Sequence, residues 1–326
     1  MGHDDSMTTT TDERPTTVPT PAVRTGARWR FSGARVFTYT VVTMLAAAII
    51  IPVVWVVGAS LKEQREFYDS PWALPQGASW SNYVDAFVEA RMGAYFLNSV
   101  IVTALALVLV LLFAVPAAYV MARYTFRGRG IIQAILMAGL FINVNYIVVP
   151  IFLLLNDGDG WLRDITGDSG WLGAQLAAGS FLLDNRLMLA VVYAATTIPF
   201  TVYLLSNFLS TIPADYEEAA TLDGASRLRV MMGIILPMAK PAITTVVLFN
   251  FLTYWNDFII ALTLLPSEGN RTLQVGLLNL MTAQRAAADY GRLYAGMVIV
   301  MVPVLIFYAV IQKRLISGIA GGGVKG

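Results

Sequence analysis

Six long apolar stretches restrict this chain to a membrane-embedded helical protein. They lie at about residues 37–61, 96–121, 131–155, 187–209, 243–265 and 293–311. Each stretch matches the roughly 20 residues that a helix needs to cross the hydrocarbon core of a bilayer. The composition agrees, because 57% of the residues are hydrophobic and 13% are charged, whereas soluble domains average roughly 45–50% apolar residues. The sequence therefore predicts an all-α, polytopic membrane protein with six transmembrane helices.

The fourth apolar stretch differs from the others because polar residues and a proline interrupt it. These residues are Thr196, Thr197, Pro199 and Thr201. A break in a membrane helix needs neighbouring helices to satisfy the freed backbone groups. We therefore expect the fourth helix to lie inside the bundle.

The distribution of Lys and Arg predicts an orientation. Basic residues cluster before the first stretch, between the second and third, and after the sixth: Arg24, Arg28, Arg30, Arg35, Arg123, Arg127, Arg129, Lys313 and Arg314. Such clusters stay preferentially in the cytoplasm, and the loops after the first and third stretches are acidic. We predict a multi-pass protein of the plasma (inner) membrane with both termini in the cytoplasm.

The remaining segments divide the chain into three parts. Residues 1–30 are rich in Thr and Pro and are predicted to be a disordered cytoplasmic tail, residues 31–316 to be the transmembrane domain, and residues 317–326 to be a cytoplasmic tail. The long outer loop 156–186 contains Trp161 and Trp171. We interpret them as anchors at the membrane interface, with a docking surface for an extracellular partner as the alternative.

Composition also excludes several kinds of chemistry. The sequence has no Cys and one His, at position 3, so a disulfide, a zinc cluster, an iron–sulfur site and a cysteine nucleophile are not expected. No G-x-x-x-x-G-K-[ST] phosphate loop occurs, so this chain is not expected to bind ATP. The net charge of +1 gives no reason to propose a nucleic-acid partner. No catalytic residue, metal ligand or cofactor is predicted for this chain.

The loop at about 212–237, between the fourth and fifth stretches, is the most informative segment. It is cytoplasmic in the predicted orientation. Pro213 at a helix start, followed by Asp215, Glu217 and Glu218, favours a helix through its preset φ and its N-terminal dipole. The loop therefore begins with a short helix.

The same loop then turns and forms a second helix. Gly224 permits a sharp turn, and a second helical segment from about Ser226 is predicted to stop at Pro237. Ala219, Ala220 and Leu222 are available for packing against another surface. The segment is typical of a docking element on the cytoplasmic face.

A family resemblance rests on the spacing within this loop. Glu218-Ala219-Ala220 is followed after three residues by Gly224 and after nine more by Ile234-x-Leu236-Pro237, which is similar to the EAA loop of ABC importer permeases. An ordinary amphipathic loop helix is the alternative, but the long spacing disfavours it. The resemblance implies that this loop is a coupling helix that inserts into a cytosolic ATPase. The implied coupling residues are Glu218, Ala219, Ala220, Asp223, Gly224, Ile234, Leu236 and Pro237.

Two further segments narrow the resemblance to sugar transporters. Tyr254-Trp255-Asn256-Asp257-Phe258 resembles the Trp-Asn-Asp/Glu-Phe motif of sugar permeases, and residues 317–326 resemble the tail of MalG-like subunits. The chain is thus similar to MalG-like carbohydrate ABC transporter permeases, which are type I importers with the MetI-like fold. The resemblance implies a regulatory contact of Gly323 and Lys325 with the ATPase. Weaker similarities occur at Asn82-Tyr83, Asn98-Ser99, Ala118-Tyr119, Ala122-Arg123 and Phe126-Arg127-Gly128.

Polar residues inside the predicted spans are candidates for the substrate pathway, since such groups usually face a bundle interior or a cavity. They are Asn143, Asn145, Asn250, Tyr254, Trp255, Asn256 and Asp257. Aromatic faces beside amides and a carboxylate suit sugars, although the Asn residues equally suit hydrogen bonds between helices. For Asp257 we hypothesise a role in a gate or cavity.

The resemblance also implies the partners. They are a cytosolic ABC ATPase dimer that binds ATP and Mg, a second permease subunit (MalF-like), an extracellular solute-binding protein and a sugar substrate moved by alternating access. The alternatives are a secondary transporter or channel, which predicts inverted repeats with broken helices, a membrane scaffold, and an ABC importer of a non-sugar solute.

Overall fold

A computed structural model describes residues 33–166, 181–287 and 289–322, and in these ranges the regular structure is helical with no strand. The helices are α1 (Gly33–Ser60), α2 (Gln64–Asp69), α3 (Ser81–Val84), α4 (Met92–Arg123), α5 (Arg129–Phe141), α6 (Val144–Thr166), α7 (Arg186–Ser210), α8 (Asp215–Leu222), α9 (Arg227–Met238), α10 (Lys240–Asn256), α11 (Ile259–Leu264), α12 (Leu273–Ala287) and α13 (Tyr290–Gly322). The predicted tail 1–30, Trp171, Gly323 and Lys325 lie outside the described residues. Helix α13 continues into the segment 317–322 that was expected to be a tail.

The chain divides into two compact units, Met1–Ile51 and Pro52–Gly326. The described part of the first unit is the beginning of α1, whose apolar side chains are largely exposed. The helices α2–α13 belong to the second unit.

The described helices include four to six apolar spans. Four continuous helices are long and apolar enough to cross a membrane: Arg35–Ser60, Met92–Arg123, Arg186–Ser210 and Tyr290–Gln312. Two pairs of helices meet the same criterion only together, because α5 and α6 are bent by 105° and α9 and α10 by 76°. The all-helical membrane architecture predicted from the sequence is confirmed.

The third predicted span, 131–155, is not a straight helix. Helix α5 ends at Phe141 and α6 begins at Val144, and the side-chain Oδ1 of Asn143 accepts a hydrogen bond from the backbone N–H of Asn145 at 3.0 Å. The 13 residues of α5 measure about 20 Å, less than the roughly 30 Å of bilayer hydrocarbon. Helix α6 extends to Thr166, so it replaces the first part of the loop predicted from residue 156.

The bend between α5 and α6, which we call the α5–α6 corner, lies beside the middle of α7. It lies there because α5 packs closely on α7. A Cβ added to Gly139 would lie 2.9 Å from the Cγ of Pro199, so the two helices touch where α5 is about to end. Pro199 is near the centre of α7 (Arg186–Ser210). The corner therefore lies level with the middle of a neighbouring span.

The fifth predicted span, 243–265, is also interrupted. Helix α10 ends at Asn256 and α11 begins at Ile259, so the backbone leaves the helix at Asp257–Phe258. The apolar helix pair that could cross the membrane begins earlier, in α9. The motif Tyr254–Phe258 thus occupies a helix end rather than the middle of a helix.

The main core lies between α4 and α7, which pack against each other extensively. Four small side chains of α4 spaced one turn apart, Ala106, Val110, Ala114 and Ala118, are fully buried. Small residues let two helix backbones approach closely, which is how helices associate in membranes. The interior position predicted for the fourth span, α7, is consistent with this packing.

Buried polar side chains fix the N-terminal end of α4, which starts at Met92. We call it the Asn98 end. The amide Nδ2 of Asn98 donates to the carbonyl oxygens of Gly269 at 2.9 Å and Arg271 at 3.0 Å, and its Oδ1 accepts from Nη1 of Arg186 at 2.6 Å. The neighbouring Ser99 hydroxyl accepts from the backbone N–H of the first residue of α12 at 2.8 Å. One buried amide therefore joins α4, α7 and the loop before α12.

Backbone groups hold two buried charged side chains, Lys62 and Asp159. Lys62 is 1% exposed, and its Nζ donates to the carbonyl oxygens of Ser70 at 2.9 Å and Pro71 at 3.1 Å. The carboxylate of Asp159 accepts backbone N–H groups from the segment 181–183 at 2.9, 2.8 and 3.1 Å. Since a buried charge is costly unless it is hydrogen-bonded, these contacts fix the loops on which the partner groups lie.

Candidate functional site

The helix predicted in the EAA-like loop is present as α8, and its end is a defined turn. Gly224 has φ of 79°, in the left-handed region that glycine adopts without steric cost. The N–H of Ala225 donates to the carbonyl of Ala220, and that of Gly224 to the carbonyl of Thr221, both at 3.0 Å. This pair of bonds is a Schellman motif, so Gly224 ends α8 and redirects the chain toward α9.

The second helix of the loop ends within one residue of Pro237, as the sequence predicts. Helix α9 continues to Met238, and the chain bends by 76° at Ala239 before α10. A π-helical turn, Met231–Ile235, precedes the proline; such turns accommodate a local change in backbone hydrogen bonding. The proline thus lies in the last turn of α9, directly after the π-helical turn, and it has no N–H to donate to the preceding turn.

The residues of the EAA-like pattern fall into two groups by exposure. Glu218, Ala219, Asp223, Gly224 and Pro237 are exposed, whereas Ala220, Ile234 and Leu236 are half-buried. Ile235, which the pattern does not include, is fully buried and anchors α9 in the main core.

Within the described part of the chain, no residue covers one face of α8. Asp215, Glu218, Ala219 and Leu222 recur at helical spacing and are exposed, and Leu222 is 89% exposed. A large apolar side chain exposed beside small and acidic ones is typical of a surface that meets a partner. We call this set of four residues the outer face of α8.

The opposite face of α8 meets α4 through a polar contact that the sequence alone did not reveal. Oε1 of Glu217 lies 2.7 Å from Nε of Arg123, and Oε2 accepts from the hydroxyl of Tyr119 at 3.1 Å. The signal in the sequence for this contact was the pair of adjacent glutamates, Glu217 and Glu218. Neighbouring residues on a helix point about 100° apart, so the two carboxylates have to meet different surroundings. Their partners are far away in the chain, so their proximity could not be predicted.

A cleft of about 530 Å³ opens beside this contact. It lies between α8 and the end of α4, and Arg227 places its guanidinium 5.3 Å from the ring centre of Tyr124 at its rim. Glu217 and Glu218 both line it, so the cleft combines acidic and cationic groups near the outer face of α8.

Three predicted pathway residues on α10 point into the protein. The amide of Asn250 donates to the hydroxyl of Thr201 at 3.0 Å. The indole N–H of Trp255 donates to the carbonyl of Val300 at 3.2 Å, and Tyr254 stacks on Tyr193 with ring centres 5.2 Å apart. In this structure these side chains join α10 to α7 and α13.

Asp257 lies at the break between α10 and α11, where it is half-buried. Its Oδ2 accepts from the hydroxyl of Tyr193 at 2.7 Å and from the backbone N–H of Ala261 at 3.0 Å. Tyr193 thereby connects Asp257 with Tyr254, whose hydroxyl is hydrogen-bonded to that of Thr197. The structure brings these polar groups of α7 and α10 into one cluster.

The other predicted pathway residues are exposed. Asn256 bonds back to its own helix, donating to the carbonyl of Leu252 at 2.9 Å. Asn143 and Asn145 lie at the α5–α6 corner, beside the exposed rings of Phe141 and Tyr146. Amides and aromatic rings are therefore accessible together at this corner.

Comparison with known proteins decides the family. Residues 114–320 match the model for the inner membrane component of binding-protein-dependent transport systems. The chain belongs to this family. It is a multi-pass membrane permease and a transport component rather than an enzyme in its own right. Within the described residues no group of three or more His, Asp or Glu is placed to hold a metal ion.

Relatives of this permease span almost its whole length. It is 34% identical to the diacetylchitobiose uptake system permease protein NgcG of Streptomyces coelicolor over 87% of each chain. It is 28% identical to the trehalose transport system permease protein SugB of Mycobacterium tuberculosis, over 90% of this chain and 100% of that protein. A solved bacterial ABC transporter involved in import of the acidic polysaccharide alginate superposes with a TM-score of 0.69 and 26% identity, covering 86% of this chain and 97% of that one.

Proposed function

We propose that this permease is a subunit of an ATP-driven ABC importer for a sugar or oligosaccharide, with α8 as the coupling helix to a separate ATPase. The observation that carries the proposal is the outer face of α8. It presents Glu218, Ala219 and the 89% exposed Leu222 on a helix that ends at the Gly224 turn.

The shape and charge of this face suit a groove on a cytosolic subunit. Ala219 lets a neighbouring backbone approach closely, Leu222 supplies apolar area, and Glu218 supplies a charge for a basic partner. ATP and Mg belong to that partner, since this sequence has no phosphate loop. The coupling helix is then cytoplasmic, and the six predicted spans, with α5–α6 and α9–α10 each counted as one, leave both termini in the cytoplasm.

A carbohydrate substrate is supported by the relatives and by the polar residues of the bundle. The relatives are named for uptake of diacetylchitobiose and trehalose. A second solved structure, 15% identical with a TM-score of 0.58, supports the fold alone. In our proposal an extracellular binding protein delivers the sugar to a path between this chain and a second permease, and alternating access moves it inward.

The coupling assignment is tested by reversing the charge of Glu218. We expect Glu218→Lys to weaken the ATPase attachment by at least about tenfold, because a charge facing its like at an interface costs several kcal/mol. The tagged permease is extracted gently from its native membrane, and co-purifying subunits are quantified by mass spectrometry. Gly224→Pro, which cannot adopt a φ of 79°, is the second variant.

Two results would count against the assignment. One is a wild-type chain that purifies alone and transports in liposomes without ATP, which would indicate a secondary transporter. The other is full ATPase retention and uptake by both variants at normal membrane abundance.

The pathway assignment is tested at Asp257. Asp257→Asn keeps an acceptor for Tyr193 and for the N–H of Ala261 but removes the charge, whereas Asp257→Ala removes both. If the carboxylate acts in a gate or cavity, we expect Asn to lower uptake nearly as much as Ala, by about tenfold. Unchanged uptake by Asp257→Asn at equal abundance would restrict this residue to capping α11.

A further inference from the structure

The coupling helix α8 is attached to the bundle by little apolar surface. No residue of α8 is buried, and Ala220 is a half-buried contact with the main core. Apolar burial is non-directional and scales with area. The contact of Ala220 therefore does not by itself fix the angle or the height of α8.

The contacts of Glu217 with α4 supply the direction that the apolar contact of α8 lacks. Arg123 and Tyr119 contact different oxygens of the same carboxylate, at 2.7 and 3.1 Å. The side chains of Arg123 and Glu217 are 10% and 19% exposed, so salt screens their attraction only weakly. The attraction of Arg123 holds the Glu217 carboxylate at a short distance from α4, and the hydrogen bond from the Tyr119 hydroxyl gives it a direction; Nε of Arg123 and Oε1 of Glu217 are buried and make no hydrogen bond with each other.

The partners of Glu217 lie on α4, which packs extensively against α7. Tyr119 and Arg123 are one turn apart on α4 and directly follow the buried stripe that ends at Ala118. That stripe holds α4 against α7. A displacement of α8 transmitted through Glu217 thus reaches two membrane spans.

We propose that Glu217 is a positioning residue that, with Arg123 and Tyr119, forms a strut between the coupling helix and α4. The strut transmits the motion of the ATPase to α4 and α7, while Glu218, on the other face of α8, contacts the ATPase. The proposal rests on the proposed function, because it requires α8 to be the coupling helix.

The test separates attachment of the ATPase from transmission to the membrane. The sequence has no Cys, so Asn145→Cys introduces a single thiol at the exposed α5–α6 corner. In the co-purified transporter, the rate at which a maleimide labels this thiol is measured without ATP and after trapping with ATP, Mg and vanadate. ATP hydrolysis and ATPase retention are measured on the same samples.

We expect Glu217→Gln and Arg123→Gln to reduce the ATP-dependent change in labelling to less than about one fifth. ATPase retention should stay complete and ATP hydrolysis within about twofold of the parent, because these side chains do not face the partner. The exchanged pair, Glu217→Arg with Arg123→Glu, should restore at least about half of the change, as expected for a pairwise interaction. Arg91→Gln is the matched control, since it removes one charge of an exposed pair, 3.9 Å from Glu268, at the other end of α4.

The outcomes distinguish this proposal from the proposed function. The strut is overturned if both single variants keep the full ATP-dependent change, if they lose the ATPase, or if the exchanged pair restores nothing. If the parent itself retains no ATPase or shows no ATP-dependent change, the coupling function of α8 fails first.

Discussion

The two ends of α4 are held in opposite ways. At the Asn98 end, one buried amide makes three hydrogen bonds to groups of α7 and of the loop before α12. At the other end, the half-buried carboxylate of Glu217 is the main polar link between α4 and α8. No residue of α8 is buried. A network of buried polar groups is rigid when every member is satisfied, whereas a single directional contact lets a helix move as a body. The contrast predicts that changes at the Asn98 end lower stability, and that changes at the α8 end lower coupling.

The largest effect on stability is expected for Asn98→Leu. Leucine has a similar volume but leaves the carbonyls of Gly269 and Arg271 and the Nη1 of Arg186 without their partner. Each lost hydrogen bond contributes about 0.5–1.5 kcal/mol, or about 1.5–3 kcal/mol for the one to the charged Arg186, so we expect a total loss of about 3–5 kcal/mol. The measurement is the apparent melting temperature of the purified transporter in detergent.

Asn207→Leu is the control for this substitution, because Asn207 is exposed on α7 and should change stability by less than about 0.5 kcal/mol. Equal melting temperatures for Asn98→Leu and Asn207→Leu would mean that the hydrogen bonds of Asn98 do not stabilise the protein. The contrast between the two ends of α4 would then be wrong.

A smaller effect is expected for Lys62→Met, which also lies away from α8. Methionine keeps most of the volume but leaves the carbonyls of Ser70 and Pro71 without their donor. The relief of a buried charge offsets part of this loss, so we expect a destabilisation of about 2 kcal/mol. Arg65→Met, at an exposed position three residues later, should leave the melting temperature unchanged. Matching shifts in the two variants would mean that burial of Lys62 has no energetic consequence.

The smallest effect on stability, with a clear effect on coupling, is expected for Gly224→Ala. An added Cβ meets no atom within 4 Å, so the cost is the left-handed backbone alone, about 1–2 kcal/mol. This cost falls on the turn after α8, so the melting temperature should fall by less than in Lys62→Met, whereas uptake per ATP hydrolysed should fall several-fold. Gly233→Ala, also in open space but without a positive φ, is the control. A variant that melts earlier yet couples normally would contradict the division between the two ends.

The sequence predicted the elements whose signal is local. Apolar length located the four continuous spans, and the acidic residues around Glu218 with Gly224 located α8 and its turn. Hydropathy reports composition and not direction, so it did not reveal the bend at Asn143. The bend at Ala239 lies two residues after Pro237, where the sequence predicted the loop helix to end. Pro237 predicted the end of α9 to within one residue, because a proline removes a backbone donor and disfavours continuation of the helix.

The contacts that connect distant segments were not predictable. Asn98 meets partners around residue 270, and Arg123 meets Glu217. In each case a single polar residue near the end of an apolar helix was visible, but one sequence contains no information about which distant residue it contacts. The same holds for Asp257, whose partners became evident only when the break between α10 and α11 was seen.

The α5–α6 corner has a consequence for how this permease sits in the lipid. Hydrocarbon offers no hydrogen bonds, so non-helical backbone at membrane depth has to face protein or water. The corner lies level with Pro199 and presents two amides and two rings to its surroundings. By this rule the corner belongs on a side of the 52–326 unit that faces protein or water, so the bilayer restricts how this unit can be rotated about the membrane normal.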